Sequence, residues 1–75
     1  MMLIHVESEP GPAGVREPHS FMLGARCIAV REILDRWFAA THTYFKVSTN
    51  DGIYILRHDA ASREWELTLY RAESG

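Results

Sequence analysis

The chain has 75 residues, 47% of them hydrophobic, with 8 basic and 10 acidic side chains and a formal net charge of -2. That length makes one small domain with a thin stability margin, since the fraction of surface a chain buries falls with its size. Two catalytic domains and a repeat array are excluded by length, and the single cysteine, Cys27, excludes an intramolecular disulfide.

No apolar run exceeds four residues, as at Met1 to Ile4 or Ile53 to Leu56, whereas a membrane helix needs about 20. The N-terminus lacks a basic segment ahead of a long apolar stretch, so it does not read as a signal peptide, and a cytoplasmic location is expected. Charge is uneven along the chain. Glu7, Glu9, Glu17, Glu73 and Arg16 lie outside residues 19–71, which leaves seven of the eight basic and six of the ten acidic residues there, a net of +1. A dedicated duplex-DNA binder needs a much stronger positive field.

Taken in order, Met2 to Val6 either adds a short strand or frays. Pro10, Pro12 and Pro18 with Gly11 and Gly14 mark Glu7 to Pro18 as an arm or linker. Residues 1–17 are thus expected as an N-terminal strand or flexible arm, 18–71 as one small β domain and 72–75 as a tail.

Phe21 to Val30 can form two strands around a tight turn at Gly24. From Cys27 to Ala40 the pattern is ambiguous. Val30, Ile33, Leu34, Trp37 and Phe38 have the spacing of an amphipathic helix, which would make the fold α+β with a helix near residues 28–40. No Ser, Thr, Asp or Asn stands just upstream to cap it, and strands remain open on pattern alone.

Tyr44 to Thr49 and Ile53 to Arg57, joined through Asn50-Asp51-Gly52, read as a β-hairpin. A loop of two residues at Asp51-Gly52 would put Lys46 against Arg57. A three-residue loop pairs Val47 with Ile55 and Lys46 with Leu56, avoids the like charges and is the expected register. Glu64 to Tyr70 alternates strictly and gives a half-buried antiparallel strand. Phe45, Val47, Ile53, Ile55, Trp65, Leu67 and Leu69 then form the core face.

Together, Pro18-His19-Ser20-Phe21, Gly24-Ala25-Arg26, Val30 to Trp37, Tyr44-Phe45-Lys46-Val47, the Asp51-Gly52 turn, Tyr54-Ile55-Leu56-Arg57 and Trp65-Glu66-Leu67 resemble a family of short bacterial β domains of unknown function. Its members stand alone, and similar modules occur at the C-terminus of relatives of Y-family translesion polymerases. The resemblance covers residues 18–71. It implies an all-β fold, a bent antiparallel meander or small barrel of about five strands, in which Val30 to Trp37 is extended with a bulge near Arg31-Glu32. It supplies no catalytic or binding residues.

Chemistry-bearing motifs are sparse. His5, His19, His42, His58 and Cys27 show no ligand spacing, so neither metal nor cofactor is expected. There is no Gly-x-Ser-x-Gly and no glycine-rich phosphate loop, and a chain this small has little room for a closed pocket, so no enzymatic activity is expected. The candidate binding face lies opposite the expected core: Tyr44, Lys46, Tyr54, Leu56, His58 and Tyr70. Such a face either anchors a protein partner or stacks single-stranded bases, unless it closes a second small cluster with the N-terminal arm. Glu64 and Glu66 share it and would repel phosphates. The expectation is therefore a non-enzymatic protein-interaction module, linked through the resemblance to bacterial DNA repair or translesion synthesis, with weak single-strand nucleic-acid binding as the alternative.

Overall fold

The computed structural model describes residues 2–72, so of the expected tail only Ala72 falls within it and 73–75 lie outside. The chain forms eight strands and one 3-10 turn: β1 (Met2–Ile4), β2 (Val6–Pro10), the turn Pro12–Gly14, β3 (Arg16–Leu23), β4 (Arg26–Ala29), β5 (Glu32–Phe38), β6 (His42–Thr49), β7 (Gly52–Asp59) and β8 (Trp65–Arg71). They make two antiparallel sheets, one ordered β1-β8-β7-β6-β5 and the other β2-β3-β4, and no barrel closes. The all-β expectation holds, with more strands than the expected five. Cys27 to Ala40 carries β4 and β5 and no helix.

Two crossovers join the sheets. Ile4 pairs with Trp65 in the large sheet, and the next carbonyl, that of His5, accepts from the Met22 N–H of the small one at 3.0 Å. Val30 N–H donates to His19 in β3, and Arg31 N–H donates to Ser48 in β6. One chain segment thus leaves each sheet and enters the other within consecutive residues. The expected arm is a hairpin, since β2 pairs with β3 from Val6 opposite Phe21 to Pro10 opposite Arg16. Its prolines are tolerated by position. Pro10 ends an edge strand, Pro12 opens the 3-10 turn, and Pro18 lies where β4 no longer pairs with β3.

Gly24, at φ +58, begins the two-residue turn between Leu23 and Arg26, the position that demands positive φ in a tight hairpin. The bulge in β5 falls at Leu34, between Ile33 and Asp35, rather than at Arg31-Glu32.

The register of β6 with β7 corrects the expected one. Thr49 pairs with Gly52, so the loop is Asn50-Asp51 alone, and Val47 faces Tyr54 while Lys46 faces Ile55. Thr49 fixes this choice: its hydroxyl accepts from Asp51 N–H at 3.0 Å and donates to the Gly52 carbonyl at 2.9 Å. Gly52 follows at φ +136, where a side chain would be strained. A one-residue slip reverses every side chain of the strand. Tyr54 and Leu56 therefore enter the core, and Ile53 and Ile55 turn outward. In β8 the register shifts again, with Leu56 facing Leu67 and Ile55 facing Leu69, so Thr68 is the extra residue and Leu69 also turns outward.

The core between the sheets is Phe21 and Ile28 from the small sheet with Phe45, Val47, Tyr54, Leu56 and Trp65 from the large one. Leu67 packs against it. Phe21 meets Tyr54 edge to face at 5.0 Å between centroids, the favoured offset geometry for aromatic pairs. At the margin, Arg36 Nε donates to Glu17 Oε2 at 2.6 Å and ties β5 to the small sheet. That bond raises the Arg36 pKa.

Candidate binding surface

The six residues of the expected binding face lie in four places. Tyr54 and Leu56 are core residues. Tyr70 borders the core at one end, 4.7 Å from the Tyr54 ring, with its hydroxyl donating to the Asp51 carbonyl at 2.8 Å. Asp51 also accepts from Arg26 at the tip of the β3–β4 hairpin, so this end is a structural clasp between the sheets. Burial raises the Tyr54 pKa and keeps its phenol neutral. At the other end His58 stacks on Trp65 at 4.3 Å and 25°, and its pKa is lowered, first by burial. Tyr44 and Lys46 alone remain on the outer face of the large sheet, opposite the core.

That outer face is built by register in four cross-strand rows, the last a short pair of His42 with Asp59. The first runs Leu3, Glu66, Arg57, Tyr44, Trp37; the second Leu69, Ile55, Lys46, Asp35; the third Arg71, Ile53, Ser48, Glu32. Arg57 donates to Glu66 Oε1 from both Nε and Nη2, and its pKa is raised by Glu66 first and then by Tyr44. The face carries three basic residues (Arg57, Lys46, Arg71) and four acidic ones (Glu66, Asp35, Glu32, Asp59), with His42 beside Asp59 at 3.3 Å, so it has no positive field for phosphates. Its large apolar members are open to solvent: Leu3 is 61% exposed, Leu69 56% and Trp37 43%. Leu3 and Trp37 stand on the two edge strands of the sheet, with Leu69 on β8 between them.

The neighbouring sheet edge is guarded. In β5 the Arg36 N–H is occupied by the Asp35 carboxylate at 2.8 Å, and the bulge at Leu34 breaks the ladder. Both devices oppose addition of a strand from another chain.

Sequence reasoning placed Tyr44 and Lys46 correctly on the outer face and missed Trp37, Ile55, Leu69 and Leu3. Ile55 and Leu69 were assigned to the core by the slipped register, and Leu3 joins the face through a pairing of β1 with β8 that no local pattern announces. Among the described residues no group of three or more His, Cys, Asp or Glu side chains could hold a metal ion, and no helix is long and apolar enough to cross a membrane. Comparison with protein-family models, with curated proteins and with solved structures finds no match to this chain.

Proposed function

We propose that the protein is a non-enzymatic interaction module that docks a protein partner on the outer face of its five-stranded sheet. The observation that carries this reading is the alignment of Trp37, Tyr44, Ile55, Leu69 and Leu3 on one face that has no excess of positive charge. Exposed aromatics set among paired charges are the composition of protein-binding hot spots, where a few anchors supply most of the affinity. The guarded β5 edge favours side-chain docking over strand addition. The resemblance of residues 18–71 to modules of Y-family polymerase relatives directs the search for the partner to bacterial translesion synthesis.

The test is a chemical-shift titration of the labelled domain with a Y-family polymerase relative at about 0.15 M salt, repeated with a single-stranded oligonucleotide. The expected result is shifts at Trp37, Tyr44, Ile55 and Leu69 with the protein and none with the oligonucleotide. Trp37→Ala should then weaken binding by about 2 kcal/mol or more. Oligonucleotide shifts that fall steeply with salt and disappear in Lys46→Ala would replace this reading with single-strand binding.

A further inference from the structure

The end of the sandwich away from the Asn50-Asp51 turn opens into a cleft of about 900 Å³. The start of β3 and the 3-10 turn bound it on one side, and the β7–β8 turn bounds it on the other. At its base the His58 ring lies on Trp65, and Ile4, Val6 and Val15 give apolar walls. Burial, with a smaller push from the charge of Arg16, outweighs the opposing Asp59 carboxylate and disfavours protonation of His58, so the cleft offers a flat uncharged ring at neutral pH.

Arg16, exposed at the start of β3, lines the cleft. Ser8 holds it twice, accepting from Nε at 3.1 Å through its hydroxyl and from Nη2 at 2.5 Å through its carbonyl. A guanidinium has five N–H donors. These two bonds leave the Nη1–Nη2 edge free, the edge that takes a carboxylate through two parallel hydrogen bonds. Among the described residues no carboxylate lies within ion-pair distance of Arg16. Across the cleft, Arg63 closes the β7–β8 turn at φ +63, its N–H donating to the Asp59 carbonyl at 2.7 Å. Glu64 lies beside it. Two guanidiniums against one carboxylate leave the lining one positive charge, which suits a singly charged anion better than a phosphate ester.

We propose that this cleft binds a small aromatic monocarboxylate, its carboxylate on the free edge of Arg16 and its ring against His58. The site meets the outer face of the large sheet only at Leu3 and does not depend on the docking function. At about 900 Å³ the cleft has room for a one-ring or two-ring acid.

The probe is benzoate, with benzamide as its neutral counterpart, titrated into the labelled full chain. Benzoate should saturate with a dissociation constant of about 1 mM or below, within the range of small-ligand affinities, and shift the His58 ring and Trp65 indole signals. Benzamide should bind about tenfold or more weakly, the loss expected when a charge-assisted bidentate contact is removed. Arg16→Gln should bring benzoate down to the benzamide level while leaving benzamide binding and the dispersed amide spectrum unchanged, which shows that the variant is folded. Equal affinity for benzoate and benzamide would overturn the proposal, as would no saturation by about 10 mM. So would unchanged benzoate binding in a folded Arg16→Gln protein.

Discussion

Truncating Leu56 tests the register on which every statement about the two faces rests. Leu56 is fully buried between Phe45 and Leu67 across the sheet, whereas Ile55, its neighbour in sequence, faces outward. Leu56→Ala removes three carbons, about 2.4 kcal/mol of transfer free energy at about 0.8 kcal/mol per methylene, and the cavity left behind brings the loss to about 3–4 kcal/mol. A chain of 75 residues has a total stability of about 4–11 kcal/mol, so about a quarter or more is lost. At roughly 4–8 °C per kcal/mol for a domain of this size, the melting temperature should drop by about 12–30 °C. Ile55→Ala on the outer face should cost about 1 kcal/mol. Urea unfolding followed by circular dichroism at 25 °C compares the two, with equal m-values confirming that both variants unfold from the same compact state. An Ile55→Ala protein as unstable as Leu56→Ala, or less stable, would refute the Asn50-Asp51 turn and restore the three-residue loop.

Other outcomes follow from particular contacts. A Cβ on Gly11 would stand 2.6 Å from the Glu17 side chain and 2.9 Å from the Val15 carbonyl oxygen, so Gly11→Ala should destabilise the protein by about 1–3 kcal/mol and loosen the Glu17–Arg36 pair, measured by urea unfolding. His58 is held below its ordinary pKa, so the unfolded chain takes up its proton first. Its contribution is complete above about pH 6.5 and is lost as pH falls through the folded-state value. Melting temperatures of the native protein and His58→Gln should therefore converge as pH is lowered from about 7 to 5, and a constant gap would show that His58 does not carry the effect.

Much of the fold is legible because its signals are local. Strict alternation from Trp65 to Leu67, the glycine turn at Gly24 and the aromatic run at Tyr44-Phe45 each fix a strand from its own neighbourhood. The N-terminal segment misleads for the opposite reason. Three prolines in Glu7 to Pro18 remove N–H donors and read as a linker, yet each falls at a strand end, a turn or an unpaired position, and only the tertiary pairing reveals that these donors were not needed. For Cys27 to Ala40 the helical spacing is accidental. The bulge at Leu34 displaces the strand alternation by one residue, so neither period fits cleanly, and pairing with β6 decides the outcome.

The binding face was less legible than the fold because parity errors propagate across a sheet. Placing the turn at Asn50-Asp51 rather than one residue longer inverts all of β7, and the extra residue at Thr68 inverts only the second half of β8. The two inversions match where the strands meet. Tyr54 and Tyr70 remain neighbours, as do Ile55 and Leu69, but each pair exchanges sides with the other, while Trp65 and Leu67 keep theirs. A reading based on alternation therefore finds the right pairs and assigns them to the wrong faces. The balance rests on Thr49, whose hydroxyl closes the short turn from both sides. With a loop one residue longer, Tyr54 and Leu56 would point outward and Ile55 would be buried, and the outer face would carry tyrosine where it now carries isoleucine.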